Sequence, residues 1–104
     1  MPASKTAIRR PRGPAAVSWI VYILRCRDGS LYTGITNDLP KRLRAHAAGK
    51  ASRYTRSRLP ARLVYAESQA TKSLALKREA AIKALSRKQK LRLVAASNTR
   101  AVFP

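Results

Sequence analysis

The chain has 104 residues, enough for one domain and too few for two. Lys and Arg number 23 against 4 Asp and Glu, a formal net charge of +19, while 45% of residues are hydrophobic, enough for a packed core. These figures exclude wholesale disorder and a membrane span of about 20 apolar residues; a single Cys and a single His also exclude an internal disulfide and a Cys/His zinc site. So basic a protein is expected to meet a polyanion. Nucleic acid fits better than a membrane surface, because the charge is spread over every segment and not gathered on one amphipathic helix. The N-terminus lacks an apolar h-region, so no secretory signal is expected and the cytoplasm is the expected compartment.

Residues 1–17 hold Pro2, Pro11, Pro14 and Gly13 with Lys5, Arg9, Arg10 and Arg12, and read as a flexible basic arm. The folded domain is expected over 18–96. Trp19-Ile20-Val21-Tyr22-Ile23-Leu24 is β-branched and aromatic, a strand covered on both faces. Arg27-Asp28-Gly29-Ser30 is a hairpin turn, and Leu31-Tyr32-Thr33-Gly34-Ile35 is the returning strand. Asn37 or Asp38 caps a first helix, with Pro40 in its first turn, Leu39, Leu43 and Ala47 on one face, and Gly49 as its stop. Residues 50–60 read as a basic loop ending at Pro60. In it, Lys50, Arg53, Tyr54, Arg56 and Arg58 are candidate nucleic-acid contacts. Leu63-Val64-Tyr65-Ala66 is a third strand. Thr71 or Ser73 opens a second helix that runs to about Leu85. Ser86 and Gln89 have capping-box spacing for a third helix, to about Ala96. Residues 97–104 form a frayed tail. The order is ββαβαα, an α/β (α+β) architecture.

Few residues can do chemistry. The four carboxylates are Asp28, Asp38, Glu67 and Glu79, and the first two have turn and capping tasks. Two-metal phosphoryl chemistry needs a carboxylate cluster. This chain is therefore expected to hold at most one divalent ion, by one carboxylate and waters, an arrangement Mg²⁺ tolerates. Glu79 is the candidate ligand, at the edge of a Leu74, Ala81, Ile82, Leu85 face. The competing reading is an i,i+4 pair with Lys83 worth about 0.3–0.5 kcal/mol. Glu67 reads as a local salt-bridge partner and Cys26 as a small core residue.

Tyr22 and Tyr32 lie on neighbouring strands, and loop length decides whether they share a face. A two-residue loop at Asp28-Gly29 puts them on opposite faces. A three-residue loop of Arg27, Asp28 and Gly29 sets Tyr22 opposite Gly34 and Leu24 opposite Tyr32. Both rings then share a face, with Gly34 leaving room beside Tyr22 and Gly29 at a left-handed position. The competing reading is ordinary cross-strand packing. Arg42 and His46, i and i+4 on the first helix, share a face where they could meet a phosphate. Alternatively, Arg42 is one more solvated cation, and His46 meets the helix dipole.

Together these residues resemble the GIY-YIG nuclease family, in its small stand-alone bacterial members. Ile20-Val21-Tyr22 matches the first motif, with Ile20 in place of glycine, and Tyr32-Thr33-Gly34 matches the second. Arg42, His46 and Glu79 follow in order, and the likeness spans Ser18 to Ala96. It implies a three-stranded antiparallel sheet with helices around it, and cleavage of a DNA phosphodiester with one divalent ion, Mg²⁺ or Mn²⁺. It gives Tyr22 and Tyr32 the places of the family tyrosines, one of which helps deprotonate the attacking water. Arg42 takes the place of the phosphate clamp, Glu79 of the metal ligand, His46 of a frequent His and Gly34 of the structural glycine. No residue here maps onto the late Asn of many active members.

A tyrosine normally titrates near about 10. The cations here are expected to favour its phenolate. The leading expectation is a monomeric, structure-selective DNA endonuclease in repair or recombination. RNA as partner, a non-catalytic binding protein, and a nuclease targeted by a protein partner are the alternatives.

Overall fold

Val21, Tyr22, Ile23 and Leu24 are all buried, because β1 (Trp19–Arg25) runs through the middle of the sheet. The computed structural model describes residues 18–97, so the arm 1–17 and tail residues 98–104 lie outside the described residues. β2 (Leu31–Thr36) and β3 (Arg62–Gln69) pair antiparallel with β1 on either side, in the order β2-β1-β3. The third strand is longer than Leu63–Ala66 because its pairing with β1 continues through Ser68 to Gln69. Ile23 pairs with Tyr65 and Leu24 with Leu63, which leaves Val64 as a bulge.

The hairpin has the three-residue loop. Cys26 N–H donates to the Ser30 carbonyl at 2.9 Å, Gly29 N–H donates to the Cys26 carbonyl at 2.8 Å, and Gly29 takes φ +84°. Tyr22 therefore pairs with Gly34 and Leu24 with Tyr32. Asp28 accepts from Ser30 N–H at 3.0 Å and from Arg58 Nε at 3.1 Å, so the turn is tied to the segment before β3.

Helix α1 (Leu39–Ala47) starts at the Asp38 cap, which accepts from Lys41 N–H, and gives way at Gly49, φ +75°. Leu39 and Leu43 pack with Tyr22 and Leu24 on one face of the sheet, while Ala47 is exposed. The segment expected as a plain loop contains a one-turn helix, α2 (Arg53–Arg56), whose Ser52 cap accepts from Tyr54 and Thr55 N–H. α3 (Lys72–Lys83), capped by Thr71, covers the opposite face. There Ala75 and Ile82 join Val21, Ile23 and Tyr65, with Leu93 and Val94 of α4 (Arg87–Ala96) alongside. The Ser86/Gln89 capping box forms in both directions.

The inward face of α3 differs from the expected one. Leu74 and Ala81 are exposed, and Ala75, Arg78, Glu79 and Ile82 turn towards the sheet. Apolar runs at 74–76 (Leu-Ala-Leu) and 80–82 (Ala-Ala-Ile) leave helical phase ambiguous by one position. No described helix is long and apolar enough to cross a membrane.

Candidate active site

Residue alternation along the hairpin, with the loop length above, puts Tyr22 and Tyr32 on the face covered by α1. Their ring centroids are 6.4 Å apart. Gly34 lies directly beneath: a Cβ there would come within 2.6 Å of the Tyr22 hydroxyl and 2.7 Å of Cζ. Only glycine leaves room for this ring.

One turn of α1 separates Arg42 from His46, and both point into this face. His46 is buried, with 1% of its surface exposed, and packs edge-on against both tyrosines, at 5.8 Å from Tyr22 and 5.3 Å from Tyr32. Tyr22 Oη and His46 Nε2 are 2.9 Å apart, and His46 Nδ1 and Thr55 Oγ1 are also 2.9 Å apart. The Thr55 hydroxyl donates to the Ser52 carbonyl at 3.4 Å. The network assigns direction from that end. Thr55 has spent its proton on a carbonyl, so it accepts from Nδ1–H; Nε2 is then unprotonated and accepts from the Tyr22 hydroxyl. A chain of oriented bonds runs from Tyr22 through His46 and Thr55 to the backbone of Ser52. Burial, followed by the charge of Arg42, pushes the His46 pKa below its ordinary 6.5, which agrees with a neutral ring. His46 is thus a buried neighbour of the two tyrosines and not a solvent-facing residue of the helix end.

Tyr22 is wholly buried, and burial pushes its phenol above the ordinary 10.0. Polar contact with Arg42 pulls the other way, and Tyr32, Arg42 and Glu79 act through charge. The expected lowering of the phenol pKa by surrounding cations does not hold for Tyr22, because desolvation outweighs the one cation in contact with it. Tyr32 is half-buried and faces outward beside it. Contact with the Tyr22 hydroxyl raises the Arg42 pKa further, so Arg42 is a permanent cation between the two phenols. Arg42 Nη2 donates to the Ala51 carbonyl at 3.4 Å, while its buried Nε has no partner.

Glu79 approaches from α3. Its side chain is 19% exposed, and Oε2 meets Lys83 Nζ at 3.2 Å, so the ion pair weighed from spacing is present. The other three carboxylates are occupied elsewhere. Asp28 serves the turn, Asp38 caps α1, and Glu67 is held by Arg78 at 3.0 Å, by Gln69 and by the Tyr65 hydroxyl. Burial pushes Glu67 up, but these three donors together hold it below the usual carboxylate range. It is a structural ion pair, as expected. No group of three metal-ligating side chains occurs among the described residues. What exists is Glu79, a half-buried carboxylate that acts on Tyr22 through charge, and Arg42, whose buried Nε–H lacks an acceptor. That donor set suits a hard divalent ion that keeps its waters and shares a phosphate with Arg42.

The basic segment divides. Lys50, Arg53 and Arg56 are exposed on and before α2. Tyr54 stacks on Tyr32 at 6.1 Å, and the Arg58 guanidinium covers its ring at 3.9 Å. Arg58 also reaches Asp28 and the Tyr54 carbonyl, and so braces Tyr54 against the turn. Cys26 is free and buried in the core. Spacing did not find Thr55. Its partner lies nine positions away across a turn, and the Ser52 cap was the only local signal that this segment would be ordered.

A family model described as the GIY-YIG catalytic domain matches residues 18–92. The chain belongs to the GIY-YIG family, a nuclease domain family. Within it, the chain is 53% identical over 73 residues to a UPF0213 protein of Bacillus licheniformis, covering 70% of this chain and 75% of that one. It is 51% identical over 74 residues to one from Staphylococcus saprophyticus, covering 71% and 90%. Solution structures of a UPF0213 protein from Bacillus halodurans (46% identity, TM-score 0.51) and of a protein from E. faecalis (40%, 0.54) each match 76% of this chain and 84% of theirs.

Proposed function

We propose that this chain is a divalent-metal-dependent endonuclease that hydrolyses DNA phosphodiester bonds, selecting by DNA structure and not by a long sequence. The observation that carries this reading is the convergence of Tyr22, Tyr32, Arg42 and His46, with Glu79 the one carboxylate that acts on Tyr22 through charge, on a nuclease-family fold. Nucleic-acid binding alone leaves Glu79 only its ion pair with Lys83.

In this reading Arg42 receives the scissile phosphate: a phosphate oxygen accepts from the orphan Nε–H, and the guanidinium supplies forked, charge-assisted donors. Glu79 holds the divalent ion, which when bound supplies Lewis-acid charge to the phosphoryl oxygens. Tyr32, half-buried beside Arg42, takes the proton of the attacking water after its own phenol proton has passed to solvent. Tyr22 is the positioning residue. Its hydroxyl donates to His46, so its lone pairs face Arg42 and fix the guanidinium in the plane of the phosphate. His46 and Thr55 hold Tyr22 in turn. Lys50, Arg53 and Arg56 extend the phosphate-binding surface without reading bases.

Cleavage of supercoiled plasmid and of a branched duplex with Mg²⁺ or Mn²⁺ tests the proposal. Wild type cleaves and Glu79→Ala does not, while both bind DNA equally in EDTA. Equal cleavage by the two proteins, or binding without cleavage under every metal, refutes it.

A further inference from the structure

Thr33 is the residue between Tyr32 and Gly34, and alternation sends it to the sheet face opposite the tyrosines. It is 4% exposed, and its hydroxyl oxygen has no hydrogen-bond partner. An orphan buried hydroxyl costs about 1–3 kcal/mol unless something completes it. Thr33 lines an open cleft of about 210 Å³ at the outer edge of β2, together with Leu31, Tyr32, Tyr54, Lys83 and Lys90. Lys83 and Lys90 come from the end of α3 and from α4, so the cleft gathers two ammonium groups and a hydroxyl from three separate elements. The one acid in contact is Glu79, reached through Lys83 at 3.2 Å.

We infer that this cleft is a second phosphate subsite, which seats the sugar–phosphate backbone next to the scissile position. Two compact ammonium groups and a hydroxyl donor suit the oxygens of a phosphodiester. The apolar edges of Leu31 and the two tyrosines suit the sugar. A stacked base fits less well, because Tyr54 already stacks with Tyr32 and carries the Arg58 guanidinium over its ring. Tyr32 forms the wall between the cleft and the Tyr22–His46 pair, so a strand lying across the β2 edge meets both places in succession. Lys83 stands between Glu79 and the cleft, and its ammonium can be shared by carboxylate and phosphate. The subsite fixes the register and direction of the strand without reading sequence. It rests on the nucleic-acid part of the function proposed above and not on cleavage.

Binding of the full chain to a labelled duplex in EDTA, across a range of salt, tests it. Lys90→Gln is expected to make the slope of log K against log salt shallower by about one, and Lys88→Gln, on the same helix but outside the cleft, to leave it unchanged. Thr33→Val is expected to weaken binding about three- to tenfold at unchanged slope, with a melting temperature no lower than wild type. Equal slopes for the two lysine variants, or wild-type affinity for Thr33→Val, would overturn the subsite. Amide shifts at Thr33 should appear with a dinucleotide monophosphate. Shifts with inorganic phosphate alone would assign the cleft to free phosphate and overturn it too. Cleavage with none of these binding effects refutes the subsite alone; the effects without cleavage refute the endonuclease reading alone.

Discussion

Gly34 has no side chain because the Tyr22 hydroxyl occupies that space. Gly34→Ala puts a methyl group 2.6 Å from the Tyr22 oxygen, in a strand between paired neighbours that cannot move aside. The expected result is a loss of about 1–3 kcal/mol in urea unfolding and of most cleavage, because the Tyr22–His46 bond breaks as the ring shifts. The two tyrosines separate by the same reasoning. Tyr22→Phe leaves His46 Nε2 a buried acceptor without a donor, and costs about 1–3 kcal/mol along with cleavage. Tyr32→Phe leaves stability within about 0.5 kcal/mol and abolishes cleavage. Equal destabilisation by both would place the two hydroxyls in the same structural role. His46 makes the fold pH-sensitive. Its folded pKa lies below 6.5, so near and below that pH the unfolded chain binds the extra proton. Stability is therefore complete above about pH 6.5 and falls as the medium is acidified. Unfolding followed from about pH 5 to 7.5 should show this slope, and His46→Gln should flatten it.

Among the elements, the hairpin loop and α2 set the site. Gly29 at φ +84° allows the three-residue loop that brings the tyrosines to one face. Gly29→Ala is expected to cost about 1 kcal/mol through backbone strain, with the register kept by the buried Val21 to Leu24 run. α2 is one turn long and depends on its cap. Ser52→Ala removes acceptors for Tyr54 and Thr55 N–H and should cost about 0.5–2 kcal/mol. Its effect on cleavage should exceed its effect on melting, because Thr55 then no longer fixes the His46 ring. A cleavage loss no larger than the stability loss explains would remove Thr55 from the positioning chain.

For the whole molecule, a charge of +19 on 104 residues makes salt the main control of affinity. If about six phosphates are neutralised, log K falls with log salt at a slope near about −5. The affinity should change little between linear sequences of equal length, because contacts to phosphates position a strand without reading its bases. A strong preference for one linear sequence would contradict both the cleft and the structure-selective reading.

Much of this protein is determined by local sequence. Hydrophobic alternation, the glycine after Asp28, the Asp38 cap and the Ser86/Gln89 box act over a few residues, so strands, hairpin register and helix starts could be read directly. The positions of Tyr22, Tyr32, Gly34, Arg42 and His46 on one face follow from two short periods and one loop length. Tertiary structure decided what depends on contacts between elements. It set which side of α3 turns inward, because the apolar runs at 74–76 and 80–82 mark no single face. It also ordered the 50–60 segment against α1, spent Arg58 on Tyr54 and Asp28, and gave His46 its buried partners. Burial cannot be read from residue type, and burial moved the pKa of Tyr22 up and that of His46 down. The orphan hydroxyl of Thr33 was invisible for the same reason: a threonine in a strand reads as a strand former until the walls of its cleft are known.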